Sequence, residues 1–443
     1  MCMDHPHELR RSLRLRDLIL YGIVLIQPTA PMPVFGVLYE KSHGHVTLTI
    51  LLALVAMLFT AISYGRMARA YPQGGSAFLY VGRELHPSLG YLTGWGLLMD
   101  YVINPLICTI WCSSAAMNFF PHVPYIAWVA GFVTLFTLLN CNGIETSARI
   151  NAAVAAALGL IIVWILTAAI HFILARFHPA SIFLAPLLAT GGPDRTAIMR
   201  GTATAVLAYI GFDGISTLAD ESHNPHHDIP RAIVMTCLAT GILGAIEVYF
   251  AELAWPHGAR FPDVNTAYVF VAGHVGGPTL FAVVNLALLL ATVGSGMASQ
   301  LGAARLLYAM GRDGALPPGF FAQVDRRHRI PRNNVILIGV ICFLGALLLS
   351  FSLGADLLNF GALLAFIGVN LSSAVRAWRE PAASTARRLA PLFTSTIGFL
   401  TCSFLWWNLD SKAKIVGSAW ALLGLLLYAV RRVRTSAPRD SAS

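Results

Sequence analysis

The sequence predicts an all-α polytopic membrane protein with twelve transmembrane helices, built as two inverted repeats in which helices 1 and 6 are discontinuous. Three observations predict this fold class. The composition is too apolar for a soluble chain, apolar runs of membrane-spanning length recur along the whole sequence, and helix-breaking residues interrupt two of these runs at comparable places.

The composition excludes an ordinary soluble domain. Of 443 residues, 56% are hydrophobic and 12% are charged, which is more apolar surface than a soluble core of this size can bury. Runs such as "TLTILLALVAMLFTAISYG" are long enough to cross a hydrocarbon core of about 30 Å. The predicted spans, numbered 1 to 12, are 17–39, 46–67, 88–119, 123–141, 148–175, 199–219, 231–255, 279–310, 334–354, 356–377, 390–408 and 413–431.

No long hydrophilic segment separates these spans, so the sequence predicts a single transmembrane domain, 17–431, with short tails at 1–16 and 432–443. Helices 1–5 and 6–10 form the two predicted repeats, and helices 11 and 12 are appended to them. The N-terminus lacks an apolar region followed by a small-residue cleavage site, so we expect the first span to be retained.

Arginine and lysine are distributed unequally between the two sides. With a cytoplasmic N-terminus, the inner segments contain most of the arginines, including "DRRHRIPR" (325–332) and "RRVR" (431–434), whereas Lys41, Lys412 and Lys414 lie outside. This asymmetry predicts a multi-pass protein of the inner (plasma) membrane with both termini in the cytoplasm. The topology then explains the net charge of +9. We expect the lipid bilayer as partner and no nucleic acid.

The cysteines and histidines do not form a metal-binding pattern. The seven cysteines are an odd number, spread mostly through apolar spans, where small side chains pack. The histidines of "DHPH", "SHGH" and "ESHNPHH" lie in loops without cysteine partners or H-E-x-x-H spacing. We therefore expect no metal and no cofactor.

Span 1 is interrupted within "GIVLIQPTAPMPVFG" by Pro28, Pro31 and Pro33. Each proline lacks an N–H and clashes with the carbonyl four residues before it. In lipid, such non-helical backbone persists only where it packs in protein or lines a wet cavity. A simple proline kink is the alternative interpretation.

Span 6, "TATAVLAYIGFDGISTLAD", contains Gly211 and Gly214 on either side of Asp213. The glycines weaken the helix, although they would also suit close helix packing, and the carboxylate is costly at membrane depth. Spans 1 and 6 each open a block of about five spans. Paired discontinuous helices of this kind place a substrate site between the breaks, near the membrane midplane.

Three stretches then resemble the amino acid, polyamine and organocation (APC) transporter superfamily. They are "YIGFDGISTLADESHNPHHDIPRAI" (209–233), "RLLYAMGRDGALP" (305–317) and "YPQGGSAFLYVGRELHPSLGYLTGW" (71–95). The resemblance extends from about residue 14 to 335, and spans 9 to 12 match only in hydropathy. "PMPVFG", "GHV" and "LFTAISYGR" are most similar to the bacterial putrescine importers of that superfamily.

The resemblance implies a twelve-helix permease of the five-helix inverted-repeat fold that moves a small organic amine or amino acid by alternating access. Family members bind substrate beside the breaks of helices 1 and 6, which points to Pro31, Met32, Pro33, Gly211 and Asp213 here. The Asp213 carboxylate could pair with a substrate ammonium or carry a proton. Capping the N–H groups freed at the break is its structural alternative.

Four further side chains flank the expected site. Tyr101 and Asp100 are adjacent in span 3, about 100° apart on the helix, so both cannot face the substrate squarely. We expect Tyr101 to form a wall of the site and Asp100 to pair with another helix. Tyr209 and Phe212 could close over a cation through their ring faces, or serve as core aromatics.

The coupling ion is less clearly indicated. Glu247 lies deep enough in span 7 to belong to an ion path, whereas Glu252 is expected to be merely solvated. Ser295 and Ser299 in span 8 could bind sodium in this fold, or bond neighbouring helices. Some proton-coupled relatives have a lysine in helix 5 near the position of Leu158, and its absence makes that route doubtful. Three energy sources therefore stay open: a proton on a carboxylate, sodium, or the membrane potential acting on the charge of the substrate.

The prolines also bear on the substrate. Amino-acid carriers of this fold hold the substrate carboxylate on free N–H groups at the helix 1 break. Prolines have no N–H to offer and free carbonyls instead, which favours an ammonium, although Ala30, Met32 and Val34 retain N–H groups. We therefore predict a polyamine importer, with an amino-acid permease as the alternative. Neither G-x-S-x-G nor a phosphate loop indicates an enzyme, and a non-transporting sensor is a further alternative.

Overall fold

The computed structural model of the chain is almost entirely helical. It describes residues 13–72, 76–142, 148–175, 183–184, 186–187, 194–256, 258–312, 316–325, 328, 330–380 and 385–436. Most of the two predicted tails, 1–12 and 437–443, lies outside these residues. Within them there is no β-strand, and one isolated parallel bridge joins Leu13 to Ser222.

The α-helices are numbered in chain order. They are α1 Leu15–Ile26, α2 Pro31–Lys41, α3 Val46–Ala70, α4 Ser76–Glu84, α5 Pro87–Met117, α6 Tyr125–Cys141, α7 Ala148–Leu174, α8 Arg195–Ala205, α9 Pro225–Ala254, α10 Ala267–Arg312, α11 Pro318–Phe321, α12 Arg332–Leu348, α13 Phe351–Arg379, α14 Thr385–Trp407 and α15 Ser411–Ser436. Two 3-10 helices, Val206–Tyr209 and Phe212–Glu221, continue α8.

The predicted twelve-span architecture is confirmed. In the described part of the chain, nine helices are long and apolar enough to cross a membrane, and the bent pair α1–α2 makes a tenth. The remaining two predicted spans, 4 and 9, correspond to the shorter apolar helices α6 and α12. α8 and the two 3-10 helices together form span 6, and α4 and α11 are short connecting helices.

Two predicted boundaries were wrong. Span 9 was expected to continue to residue 354, but α12 ends at Leu348, because the Ser350 hydroxyl accepts the Leu353 N–H at 3.2 Å and starts α13. From the sequence, "ESHNPHHDIPR" after span 6 is predicted to be a cytoplasmic connection in which Pro225 and Pro230 fix turns and Asp228 caps the next helix. Instead Pro225 begins α9, since proline suits the first helical position, and Asp228 lies inside the first turn.

Two helical segments were not predicted. The nine-residue α4 precedes span 3, and α10 begins well before span 8. Gly277, with φ 72° and ψ −170°, interrupts α10, so that a separate segment from Ala267 leads into the span proper. Both segments are shorter than a membrane crossing, which is why hydropathy did not predict them.

Hydrogen bonds join distant segments at the two ends of the bundle. At the N-terminal end, the Leu13 N–H donates to the Glu221 carbonyl at 3.0 Å, and the His223 N–H donates to the Leu13 carbonyl at 3.0 Å. At the opposite end, the Asn359 amide of α13 donates to the carbonyls of Ala203 and Thr204 in α8, at 3.1 and 3.0 Å. Both discontinuous spans are therefore anchored to other parts of the fold.

Candidate substrate-binding site

Span 1 breaks between α1 and α2, whose axes differ by 52°. α1 ends at Ile26, and Gln27 has a positive φ of 65°. α2 then starts at Pro31, with Ala30 before it. Only Pro28 lies in the break itself, because Pro31 and Pro33 occupy the first turn of α2, where the helix needs no internal N–H bond.

Few backbone donors are left at this break. The three prolines, Pro28, Pro31 and Pro33, have no N–H. The N–H groups of Gln27, Ala30 and Met32 donate to the carbonyls of Ile23, Gln27 and Thr29, at 3.0, 3.1 and 3.0 Å. Within 27–33, Thr29 therefore has the one N–H without a backbone partner among the described residues. Of the last four carbonyls of α1, that of Ile23 accepts from Gln27. Those of Val24, Leu25 and Ile26 have no donor within the helix, because α1 ends at Ile26.

Span 6 breaks at Ile210 and Gly211. Gly211 has φ 128°, a conformation that residues with a Cβ rarely adopt. A Cβ at this position would also lie 3.2 Å from Cγ1 and 3.4 Å from Cα of Ile26. The break of span 6 therefore packs directly against the end of α1, and the two interruptions predicted from the sequence meet in space.

Asp213 follows this break within the second 3-10 helix. The Gly211 N–H donates to Asp213 Oδ1 at 3.3 Å. The N–H of Gly214 donates to the Gly211 carbonyl at 3.0 Å. The structural alternative, a cap of the broken helix, is thus present. The bond from Gly211 is long, and the side chain is partly exposed, so the carboxylate retains capacity for a ligand.

Four polar side chains lie within electrostatic range of Asp213. Asp100 and Tyr101 approach it from α5, Tyr64 from α3 and Tyr80 from α4. We call these five residues the Asp213 cluster. No hydrogen bond or ion pair links Asp100 to another helix in the described part of the chain, so the pairing expected for it is not found there. Asp100 is partly exposed, and its carboxylate is within electrostatic range of Asp213.

Tyr101 occupies the exposed side of the cluster. Its ring is 45% exposed and packs close to Gly302 of α10, 2.9 Å from where a Cβ on that glycine would be. It also lies in electrostatic range of Tyr21 of α1. The ring therefore lies between α5 and α10, and its place as a wall of the site stays a prediction.

Two expected aromatic residues lie in the core in this conformation. Tyr209 is 1% exposed, and its hydroxyl donates to the Ile50 carbonyl at 2.7 Å. Phe212 is fully buried, stacked on Phe366 at 5.4 Å and edge-on to Tyr64 at 5.7 Å. In this conformation both residues are core aromatics, which is the alternative left open by the sequence, and closure of their rings over a cation stays a prediction.

The residues expected from span 1 are also packed. Pro31 lies against Gly244 of α9, Met32 is 1% exposed, and Pro33 is partly exposed. These three residues therefore affect the break through the backbone conformation that they impose.

The two glutamates of α9 differ from each other and from expectation. Glu252 was expected to be solvated, but it is buried and accepts the N–H and the hydroxyl of Thr47, at 2.9 and 2.8 Å. It caps the first turn of α3, where a negative charge is stabilised. Glu247 is fully buried, and neither carboxylate oxygen has a hydrogen-bond partner in the described part of the chain.

The serines of span 8 are in α10. Ser295 is beside Cys108 of α5, and both Ser295 and Ser299 are only partly buried. Leu158 of α7 is buried and apolar. Among the described residues, no group of three His, Cys, Asp or Glu side chains is placed to hold a metal.

Sequence reasoning did not single out Tyr64 and Tyr80. Tyr64 lies in an apolar run and Tyr80 in a stretch quoted for its family resemblance, and no local pattern distinguishes either from a core aromatic. Their connection to Asp213 depends on how α3 and α4 pack against span 6.

Comparison with known proteins agrees with this architecture. The family profile described as "Amino acid permease" matches residues 34–411. The chain belongs to the amino acid permease family. The permease is 32% identical over 424 residues to the low-affinity putrescine importer PlaP of Escherichia coli (strain K12), an alignment that covers 95% of this chain and 94% of PlaP.

Two relatives of lower identity are named as amino acid transporters. The permease is 26% identical to the branched-chain amino acid permease BcaP of Bacillus subtilis (strain 168), over 95% of this chain and 93% of the relative. It is 25% identical to the vacuolar cationic amino acid transporter 4 of Arabidopsis thaliana, over 83% and 63%. The superfamily inferred from the sequence is therefore confirmed.

Proposed function

We propose that the permease is a secondary active transporter that imports a small organic amine, such as putrescine or another polyamine, by alternating access. One observation carries this proposal: the break of span 1 offers carbonyls and almost no free N–H, and the break packed against it is followed by the Asp213 carboxylate. Both sides of the site thus have anionic character.

Such a site suits an ammonium better than a carboxylate. A substrate carboxylate needs backbone donors or a positive helix end, and the prolines of α2 remove two of the donors from its first turn. An ammonium donates hydrogen bonds and accepts none, so it is matched by carbonyl oxygens and by Asp213. Pro31, Met32, Pro33, Gly211 and Asp213 form the proposed site, with Tyr101 beside it.

The amino-acid permease is the second candidate, and two findings favour it. The Thr29 N–H has no backbone partner among the described residues and could bind a carboxylate. The relatives also include a branched-chain amino acid permease, so the family likeness supports either substrate class. Substrate competition is needed to choose between them.

The coupling step is proposed to use Glu247. The Glu247 carboxyl is completely buried and has no hydrogen-bond partner among the described residues. Such a group is stable only when it is neutral or when a cation lies near it. This requirement fits a carboxyl that binds and releases a proton. Ser295 and Ser299 are the alternative, as sodium ligands. We propose an inner-membrane location with both termini in the cytoplasm, on the arginine asymmetry.

Uptake of radiolabelled putrescine into proteoliposomes tests the proposal. Accumulation that is inhibited by excess diamines, and not by neutral amino acids or glutamate, would support it. Strong inhibition by a neutral amino acid, with no putrescine uptake, would favour the amino-acid permease. Binding of putrescine without accumulation would indicate a sensor.

A further inference from the structure

The Asp356 carboxylate, near the start of α13, holds a primary ammonium in this structure. Asp356 is 1% exposed, and its Oδ2 lies 2.6 Å from Nζ of Lys41. The Thr204 hydroxyl of α8 lies 2.9 Å from the same nitrogen and donates to Asp356 Oδ1 at 2.7 Å. Acceptors from two different helices therefore converge on one ammonium.

The group bound there is the end of an alkyl chain. A lysine side chain is a four-carbon chain with an ammonium at its end, the same group that putrescine has at each end. The side chain of Lys41 is 22% exposed, so this chain reaches the buried Asp356 from the solvent side. A free primary amine has the same chemistry and the same route.

Asn359, one turn further along α13, adds a spare acceptor. It is fully buried, and its amide donates to the carbonyls of Ala203 and Thr204. Its Oδ1 has no hydrogen-bond partner within the described residues. An ammonium has three N–H donors, and Lys41 uses two of them on Asp356 and Thr204. Buried acceptors are usually satisfied, so an unpaired one beside Thr204 points to a ligand that the tethered lysine replaces only in part.

This site is separate from the one between the two breaks. α2 begins at Pro31, beside the break of span 1, and ends at Lys41. At 1.5 Å per residue, its 11 residues place Lys41 about 15 Å beyond the break. Thr204 likewise precedes the break at Gly211. Asp356 therefore lies toward the end of the bundle opposite the N-terminus, which we propose to be the outer end.

We propose that Asp356 and Thr204 form an outer binding site for a primary alkylammonium. Lys41 fills this site while no amine is bound, and an incoming amine displaces it and pairs with Asp356. Lys41 is thus a tethered competitor of the amine. The inference rests on the proposed function, because it takes the transported amine as the ligand that arrives from outside.

A lysine that competes with the substrate has a different kinetic signature from one that only stabilises the fold. Lys41→Ala removes the competitor, so KM for putrescine uptake should fall severalfold. Asp356→Asn removes the charged acceptor, so KM should rise by about tenfold or more. A purely structural ion pair predicts changes in the same direction for both variants. The Asp356→Asn measurement does not require Lys41→Ala to fold.

Methylammonium tests the site directly, because it is a primary ammonium without the rest of the lysine side chain. Lys41→Ala leaves Asp356 buried without its counter-charge, so this variant should melt below wild type in detergent. Added methylammonium chloride should restore a few degrees of the lost melting temperature by occupying the vacated place. Tetramethylammonium chloride has the same charge but no N–H, and it should restore nothing.

Two variants serve as matched controls. Lys41→Ala combined with Asp356→Asn has no carboxylate to balance, so methylammonium should raise its melting temperature no more than that of wild type. Lys414→Ala is the same change at a lysine whose ammonium donates to the Trp407 carbonyl at 2.7 Å, not to a carboxylate. It should likewise gain nothing over wild type.

Three results would overturn the inference: no restoration of Lys41→Ala, equal restoration by both salts, or equal restoration of the double variant. KM changes in the same direction for Lys41→Ala and Asp356→Asn would overturn it as well. All of these would leave the proposed function standing. A wild-type protein that does not take up putrescine would overturn the proposed function, whereas the melting experiment requires no transport.

Discussion

The Lys41 ammonium lies 2.6 Å from Asp356 Oδ2, and the Thr204 hydroxyl donates to Oδ1 of the same carboxylate at 2.7 Å. Lys41 also donates to Thr204, at 2.9 Å. This triad joins the end of α2, the start of α13 and α8, at the end of the bundle opposite the N-terminus. Asp356 is 1% exposed, so its charge depends on these partners.

The contacts of Asp356 predict that a double variant is more stable than one of its single variants. Lys41→Met should destabilise the protein by up to about 3–5 kcal/mol, because it leaves Asp356 charged and buried. Lys41→Met with Asp356→Asn should recover much of that loss, because the neutral amide still accepts from Thr204. Thermal unfolding in detergent measures both variants. Equal melting temperatures for the single and double variants would show that the loss does not come from an unbalanced charge on Asp356.

Asp213→Asn should abolish putrescine uptake while the protein still reaches the membrane. The amide oxygen can keep the bond from Gly211 but cannot balance an ammonium. Uptake per unit of immunoblotted protein measures the effect. Asp410→Asn, the same change at an exposed loop residue, is the matched control. Full uptake by the variant would show that Asp213 serves only as a helix cap.

Gly211→Ala should impair both folding and transport. The left-handed conformation at φ 128° costs a residue with a Cβ about 1–2 kcal/mol, and the new methyl would press on Ile26. Gly159→Ala in α7 is the matched control, since a Cβ there meets nothing within 4 Å. Comparing the melting temperatures and uptake of the two variants tests this. Normal uptake by Gly211→Ala would show that the break does not need glycine.

Glu247→Gln should separate accumulation from exchange. If this buried carboxyl carries a coupling proton, the neutral amide should abolish accumulation driven by a pH gradient. Exchange of internal for external putrescine should continue, because it needs no net proton movement. Accumulation at the wild-type level would exclude Glu247 from the coupling path. It would favour the alternative, sodium binding by Ser295 and Ser299.

Topology is tested by single cysteines in a cysteine-free background. With both termini in the cytoplasm, Ser12→Cys and Ser441→Cys should be protected from an impermeant thiol reagent in intact cells, and Lys412→Cys should react. Permeabilised cells, in which all three react, provide the control. Reaction of only one terminus in intact cells would require an odd number of spans and contradict the fold.

The sequence by itself was enough to determine the membrane class, the twelve spans and the positions of the two breaks. These features depend on local properties: hydropathy over one membrane thickness, and the backbone restrictions of proline and glycine. It also identified Asp213, because a carboxylate between two glycines in an apolar span is unusual on its own.

Only the tertiary structure decided which distant residues meet. Glu252 caps α3 from 205 residues away, the Lys41 ammonium pairs with Asp356 of α13, and Tyr209 and Phe212 are covered by the core. Helices that are apolar on every side contain no periodic pattern that shows which face turns inward. Their rotation, and therefore the partner of each polar side chain, is set by the packing of the whole bundle.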